Sequence, residues 1–225
     1  MAPPIWRRNT PASPVDGTLL TVSGIGAAAA ADAARALVEA GATALTSWGM
    51  AGGLDPRLRA GTIFLPSKVI SRDGIGFSTS SDWRVRLSAA VASRRPVTCG
   101  TLLTSSFPIA AVADKAAALR ETGALAVDME SLAIAKIAAT HGLPFIAVRV
   151  IVDTADDVLP RSVIAASRSG RMQIWRLIGA LALAPADVSA LVRLAQHYRA
   201  ARRSLVAVAR AGSLAHLAFP TPGIS

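Results

Sequence analysis

The spacing of apolar positions changes several times along the chain, and each change marks an element. A short apolar run, Leu125–Val127, precedes Glu130–Thr140, in which Leu132, Ile134, Ile137 and Ala138 recur at helical spacing. Pro144–Val152 then reads PFIAVRVIV, the nearly continuous apolar and β-branched run of a strand buried on both faces. Together these predict a β–α–β unit in the middle of a parallel sheet. Upstream, Leu19–Val22 reads as a strand, and Ser23-Gly24-Ile25-Gly26 turns it into an Ala-rich helix through Ala40. Ala44–Ser47 predicts the next strand, followed by a Gly-rich loop over Trp48–Gly53. Thr62–Pro66 and Lys68–Ile70 predict a strand around Pro66, and Asp73–Asp82 a Gly/Ser-rich loop. Asp82–Ser93 predicts a helix with Trp83, Leu87 and Val91 on one face, and Val97–Leu103 a strand. A helix from Pro108 to about Arg120 would leave Lys115 as a solvated charge. Beyond Asp157 the pattern is helical over Ser162–Ala184 and, after Pro185, over Asp187–Ala211 with Asp187 as a plausible N-cap.

Acidic residues stand where this pattern does not ask for them. Asp128 and Glu130 follow the first strand of the β–α–β unit, and Asp153, Asp156 and Asp157 follow the second. In parallel sheets ligands bind beyond the carboxyl ends of the strands, so both clusters face that edge. One carboxylate could grip hydroxyls while the other handles a proton. The bland alternative makes Glu130 an acid favoured by the helix dipole and Asp153 a helix cap. The glycines of Ser23–Gly26 would let backbone N–H groups approach an anion or a sugar oxygen, or simply make a tight turn.

Composition narrows the picture further. With 225 residues the chain suits one domain, residues 18–211, between a Pro-rich flexible arm (1–17) and a disordered tail (212–225). It is 52% hydrophobic, yet the longest uncharged window, Pro96–Ala113, is broken by Pro, Thr, Ser and Gly, which excludes a membrane span. The start lacks a signal-peptide pattern, so a cytoplasmic protein is expected. The single Cys99 excludes an internal disulfide framework and reads as a small buried residue. His141, His197 and His216 form no ligand spacing with Cys99, so no metal is expected. A net charge of +10 predicts attraction to a polyanion, and the apolar excess favours the inner face of a membrane over nucleic acid. The arginines of the last helix are not interleaved with stacking aromatics, which also counts against nucleic acid.

VDMES followed by PFIAVRVIVDTAD resembles the superfamily of purine nucleoside phosphorylases and methylthioadenosine/S-adenosylhomocysteine nucleosidases. The resemblance extends to SGIG, to WGMAGGLDPRLRAGTIFLP and to Thr104–Ile109, covering most of Thr18–Asp157. AGGLDPRLRAG, TGALAVDMES and RVIVDTADDVLP are most similar to the hopanoid-associated branch, which removes adenine from adenosylhopane. The resemblance implies an α/β three-layer sandwich with a central mixed, largely parallel sheet flanked by helices. It also implies an enzyme that cleaves a purine N-glycosidic bond without a cofactor, using water or phosphate as acceptor, and forms homodimers or larger assemblies.

Carried onto this sequence, the family's pattern makes Asp153 the proton donor to N7 of adenine and Glu130 the acceptor for the ribose hydroxyls. Met129 would pack against the sugar, Asp128 stands where many nucleosidases have a glutamate, and Phe107 is the candidate aromatic on the purine. Ser23 and Gly24 lie in the first glycine turn, and Met50, Ala51 and Gly52 lie along the ribosyl part. Two features depart from the family. A first strand ending in a water-activating glutamate has no match before Thr18, where Asp16 is the only acid, and the phosphate-holding arginine is replaced by Ser47 and Trp48. Two further readings stand beside the adenosylhopane enzyme: a nucleosidase or phosphorylase for a small purine nucleoside, and a non-catalytic, membrane-associated binding protein.

Overall fold

A computed structural model describes residues 18–92, 95–159 and 188–211. The elements, in order, are α1 (Ala27–Glu39), β1 (Leu45–Gly53), β2 (Ile63–Phe64), β3 (Lys68–Ile70), β4 (Gly76–Ser78), α2 (Ser81–Ala92), β5 (Val97–Thr98), β6 (Thr101–Thr104), α3 (Val112–Thr122), β7 (Ala126–Asp128), α4 (Ser131–Thr140), β8 (Phe145–Asp153) and α5 (Val188–Ala211). The strands form one mixed sheet in the order β4-β3-β6-β7-β1-β8-β2-β5, with helices packed on it. This is the α/β architecture expected. Its two ends meet. Leu65 N–H donates to Thr98 O and Ser67 N–H to Gly100 O, so bonding between β2–β3 and β5–β6 runs on past Pro66, whose missing N–H falls between these two donors. The single strand expected over Val97–Leu103 is divided at Cys99 and Gly100 into β5 and β6.

β8 is the axis of the packing. Its alternation sends Ile146, Val148 and Val150 toward Trp83, Leu87 and Val91 of α2 and Ala201 and Val208 of α5. Phe145, Ala147 and Ile151 point the other way, into the cluster with Ala34 of α1 and Ala135 and Ala138 of α4. Burying an aliphatic side chain such as Leu87 or Val91 contributes roughly 1.5–3 kcal/mol, so the apolar stripe of α2 is enough to fix its face. The last helix docks on β8 and α2, as its apolar positions predict.

Several expectations are corrected. Leu19–Val22 is not a strand: only Thr18 makes a bridge, and Leu20 and Val22 are 64% and 78% exposed, with no ladder to order them. The supposed loop Trp48–Gly53 is strand, since β1 pairs with β8 from Leu45 to Gly52. The Asp73–Asp82 loop contains β4, because the backbone of β3 takes up Gly76–Ser78 as an edge strand despite its poor β composition. α3 begins at Val112, four residues after Pro108. Cys99 is exposed, at the bend between β5 and β6. β7 and β8 are not neighbours in a parallel unit; β1 lies between them, parallel to β8 and antiparallel to β7. The arm 1–17, Asp187, the helix expected over Ser162–Ala184 and the tail 212–225 lie outside the described residues. No helix among the described residues is long and apolar enough to cross a membrane.

Candidate active site

The two acidic strand ends converge on β1. Gly52 faces Val127, the residue before Asp128, on one side and Asp153 on the other, with a register shift after Ala51. A Cβ on Gly52 would sit 3.1 Å from Asp153 Oδ2, and one on Gly49 only 2.6 Å from Arg149 Nη1. The glycines expected to line a sugar loop thus make room for two charged side chains of β8.

Asp153 is 5% exposed, at the carboxyl end of β8. Its Oδ2 accepts a 2.6 Å bond from Lys115 Nζ, and the same ammonium donates to Thr154 O (2.6 Å) and Asp157 O (3.0 Å). All three of its protons are used. Lys115 is therefore no solvated charge: it is fully buried in α3, one turn from buried Ala118, and fastens the loop after β8 beneath the carboxylate. Burial pushes the Asp153 carboxyl above its ordinary range, the Lys115 charge opposing that and Asp157 adding to it. Burial also acts to raise Asp157, but bonds from the Thr154 N–H and hydroxyl outweigh it and hold Asp157 low. His197 of α5 brings Nδ1 to 3.2 Å from Asp157 Oδ2.

Glu130 occupies the N-cap position of α4. It serves more than the helix dipole, because its Oε1 accepts the Gly26 N–H (2.9 Å) and its Oε2 the Met129 N–H (3.3 Å). The Ser23–Gly26 turn thus presents its last amide, at the start of α1, to this carboxylate. Burial raises the Glu130 carboxyl above its usual range, with Asp128 adding to the shift and the Gly26 bond and Arg149 opposing it. Met129 is half-buried beside it, and the Ser23 hydroxyl bonds to Gly24 O.

Asp128 has little left to offer a ligand. Its Oδ2 receives Arg149 Nη2 at 2.6 Å and Nε at 2.8 Å together with the Ser131 N–H, and its Oδ1 receives the Thr104 hydroxyl at 2.7 Å. Arg149 Nη2 also donates to Ser47 Oγ and Ser131 Oγ. This closed network ties β1, β6, α4 and β8 together below the site, and Ser47 sits 1% exposed within it rather than facing a phosphate. Ala51 pairs with Ile151 and is buried on that face of β1, whereas Met50 lies on the other face, the one Gly52 turns to the Asp153 carboxylate, and packs against the α2–α5 cluster. Phe107 stands 64% exposed on the β6–α3 loop, which Ser105 N–H fastens to Asp128 O. Among the described residues no three of His, Cys, Asp and Glu gather as metal ligands.

The family profile of the phosphorylase superfamily matches residues 15–178, most of the chain. The chain belongs to the phosphorylase superfamily. No protein of curated function matches it in sequence. Among solved structures, a methylthioadenosine nucleosidase of Neisseria meningitidis, bound to methylthio-immucillin-A, is 19% identical with a TM-score of 0.62, over 84% of this chain and 79% of its own. A candidate methylthioadenosine nucleosidase from Weissella paramesenteroides is 25% identical (TM-score 0.58; 72% and 77% covered). A methylthioadenosine/S-adenosylhomocysteine nucleosidase of Colwellia psychrerythraea, in complex with adenine, is 24% identical (TM-score 0.58; 63% and 68% covered). These relatives share the superfamily's fold, and the expectation of an enzyme of the nucleoside phosphorylase and nucleosidase class agrees with that membership.

Proposed function

We propose that this phosphorylase-superfamily chain cleaves the N-glycosidic bond of a purine nucleoside and releases adenine. One observation carries the reading: beyond the ends of β7 and β8, which flank β1, stand a half-buried carboxyl, Glu130, and a buried one, Asp153, each raised by desolvation and each held by a different partner. The bond between N9 and C1′ breaks with its electron pair passing to the base. Asp153 delivers a proton to N7, so that a neutral purine departs. Glu130 accepts hydrogen bonds from the 2′- and 3′-hydroxyls and steadies the positive charge that grows on the ribosyl ring, which a water or phosphate oxygen then captures. Met129 and Ala51 line the sugar, Gly52 and the Ser23–Gly24 turn give main-chain approach, and Phe107 stacks on the purine, while Asp128 holds Arg149 and α4 in register.

The finer substrate is adenosylhopane, whose triterpenoid would leave the site at the 5′ end, and the enzyme would work as a homodimer in the cytoplasm, peripheral to the membrane. The residues AGGLDPRLRAG and RVIVDTADDVLP support this choice over methylthioadenosine. Comparing kcat/KM for adenosylhopane in detergent with that for methylthioadenosine tests it. Preference for the lipid nucleoside is expected, and preference for methylthioadenosine would return the chain to the small-nucleoside class.

The acid–base assignment has a pH signature. Glu130 acts ionised and Asp153 protonated, and both carboxyls are raised. Rate should therefore fall toward acid as Glu130 takes up a proton, and toward alkali as Asp153 loses its own. Lys115→Met removes the charge that opposes the rise of Asp153, so the alkaline limb of kcat/KM should move to higher pH. A limb that stays in place, or moves down, would count against Asp153 as the acid.

A further inference from the structure

We infer that the outer face of α5, together with the adjoining face of α2, is a docking surface for an anionic lipid bilayer. α5 holds five arginines and no acidic residue. Ala201, Ser204 and Val208 are buried against the sheet side, and directly opposite them Arg199, Arg202, Arg203 and Arg210 form one exposed stripe at helical spacing, with Val206 among them. Arg199 and Arg203 are four residues apart, a like-charge spacing that costs helix stability, and no acid on the helix relieves it. A merely solvated face mixes both signs, so this one is built for an outside counter-charge. α2 lies alongside α5 and adds exposed Arg86 and Val85, the latter 64% exposed, with Arg95 just beyond its end and Asp82 as its one acid.

The occupant follows from what accompanies the charge. Val85, Val206 and Tyr198, the last 47% exposed, stand among the arginines. Small apolar and amphipathic groups beside guanidinium groups suit the headgroup region of a bilayer, where phosphates meet acyl chains. Stacking on nucleic-acid bases needs several interleaved aromatics, and this face has one. Docking there would hold a chain of net charge +10 at a membrane by a surface, since no helix among the described residues is long and apolar enough to cross one. The inference extends the peripheral-membrane part of the proposed function and is independent of the cleavage chemistry.

The test is co-sedimentation of the full chain with phosphatidylglycerol–phosphatidylcholine vesicles and with pure phosphatidylcholine vesicles, at low and high salt. Each arginine near an anionic surface is worth roughly fivefold in partitioning. Arg199→Gln/Arg202→Gln/Arg203→Gln/Arg210→Gln should therefore lower the partition coefficient on anionic vesicles by more than about a hundredfold, with adenine release from methylthioadenosine unchanged. A control variant neutralises four arginines elsewhere, Arg35→Gln/Arg57→Gln/Arg72→Gln/Arg120→Gln, and should keep most of the binding. Equal loss in both variants would overturn the proposal in favour of net charge alone. Binding to RNA or DNA in place of vesicles, or binding that ignores lipid charge, would overturn it as well. Vesicle binding without adenine release would leave the surface standing and sink the enzymatic reading.

Discussion

Asp153→Asn should lower adenine release by roughly 10²–10⁴-fold, the range expected when a positioned general acid is lost. The substitution is mild for the fold, because the amide oxygen of asparagine can still accept the Lys115 bond that Asp153 Oδ2 accepts at 2.6 Å. The amide cannot hand a proton to N7. Nucleoside should therefore still bind while turnover collapses, so kcat falls and KM changes little. The substitution also leaves the fully buried Lys115 ammonium without its counter-charge, and some loss of melting temperature should accompany the kinetic defect. Turnover within a factor of a few of wild type would remove Asp153 from the chemistry and reduce it to an anchor for Lys115.

Arg149→Met should be the most damaging substitution for stability. Arg149 is 2% exposed, and its guanidinium meets Asp128, Ser47 and Ser131 in a network closed to water. Removing one partner of a buried pair typically costs about 3–5 kcal/mol, because the other charge stays buried and unpaired. That is a large share of the ~5–15 kcal/mol by which a domain is stable. Denaturant titration measures it, and adding Asp128→Leu to Arg149→Met should recover part of the loss by removing the stranded charge. A cost below about 1 kcal/mol for the single substitution would mean that water reaches the network.

Much of this was legible in the chain. PFIAVRVIV announced a strand buried on both faces, and β8 is the centre of both large apolar clusters. Trp83, Leu87 and Val91 gave the buried face of α2 because their spacing admits only one. Glu130 and Asp153 stood out as acids at strand and helix ends; Asp153 lies against Gly52 of β1, and Glu130 takes the Gly26 and Met129 amides. What escaped depended on partners distant in sequence. Lys115 looked like any lysine in an alanine-rich helix, since its acceptor lies 38 residues away on another element. Its spacing of three from Ala118, on the buried stripe, was the available signal. Arg149 carried a clearer one, as the only charge inside the otherwise apolar run PFIAVRVIV, where a charge must be paired. The Gly-rich run Trp48–Gly53 misled for the opposite reason. Glycine weakens a strand taken alone, but here the missing side chains make space for Arg149 and Asp153, and pairing with β8 holds the backbone extended.

The measurement closest to the central claim is a product analysis of the wild-type chain incubated with methylthioadenosine and, in detergent, with adenosylhopane, each with and without phosphate. Free adenine and a ribosyl product in equal amounts are the predicted result. The ribosyl product is the free sugar if water is the acceptor and the sugar 1-phosphate if phosphate is. Folded protein that releases no adenine from either nucleoside, under either condition, would contradict the account.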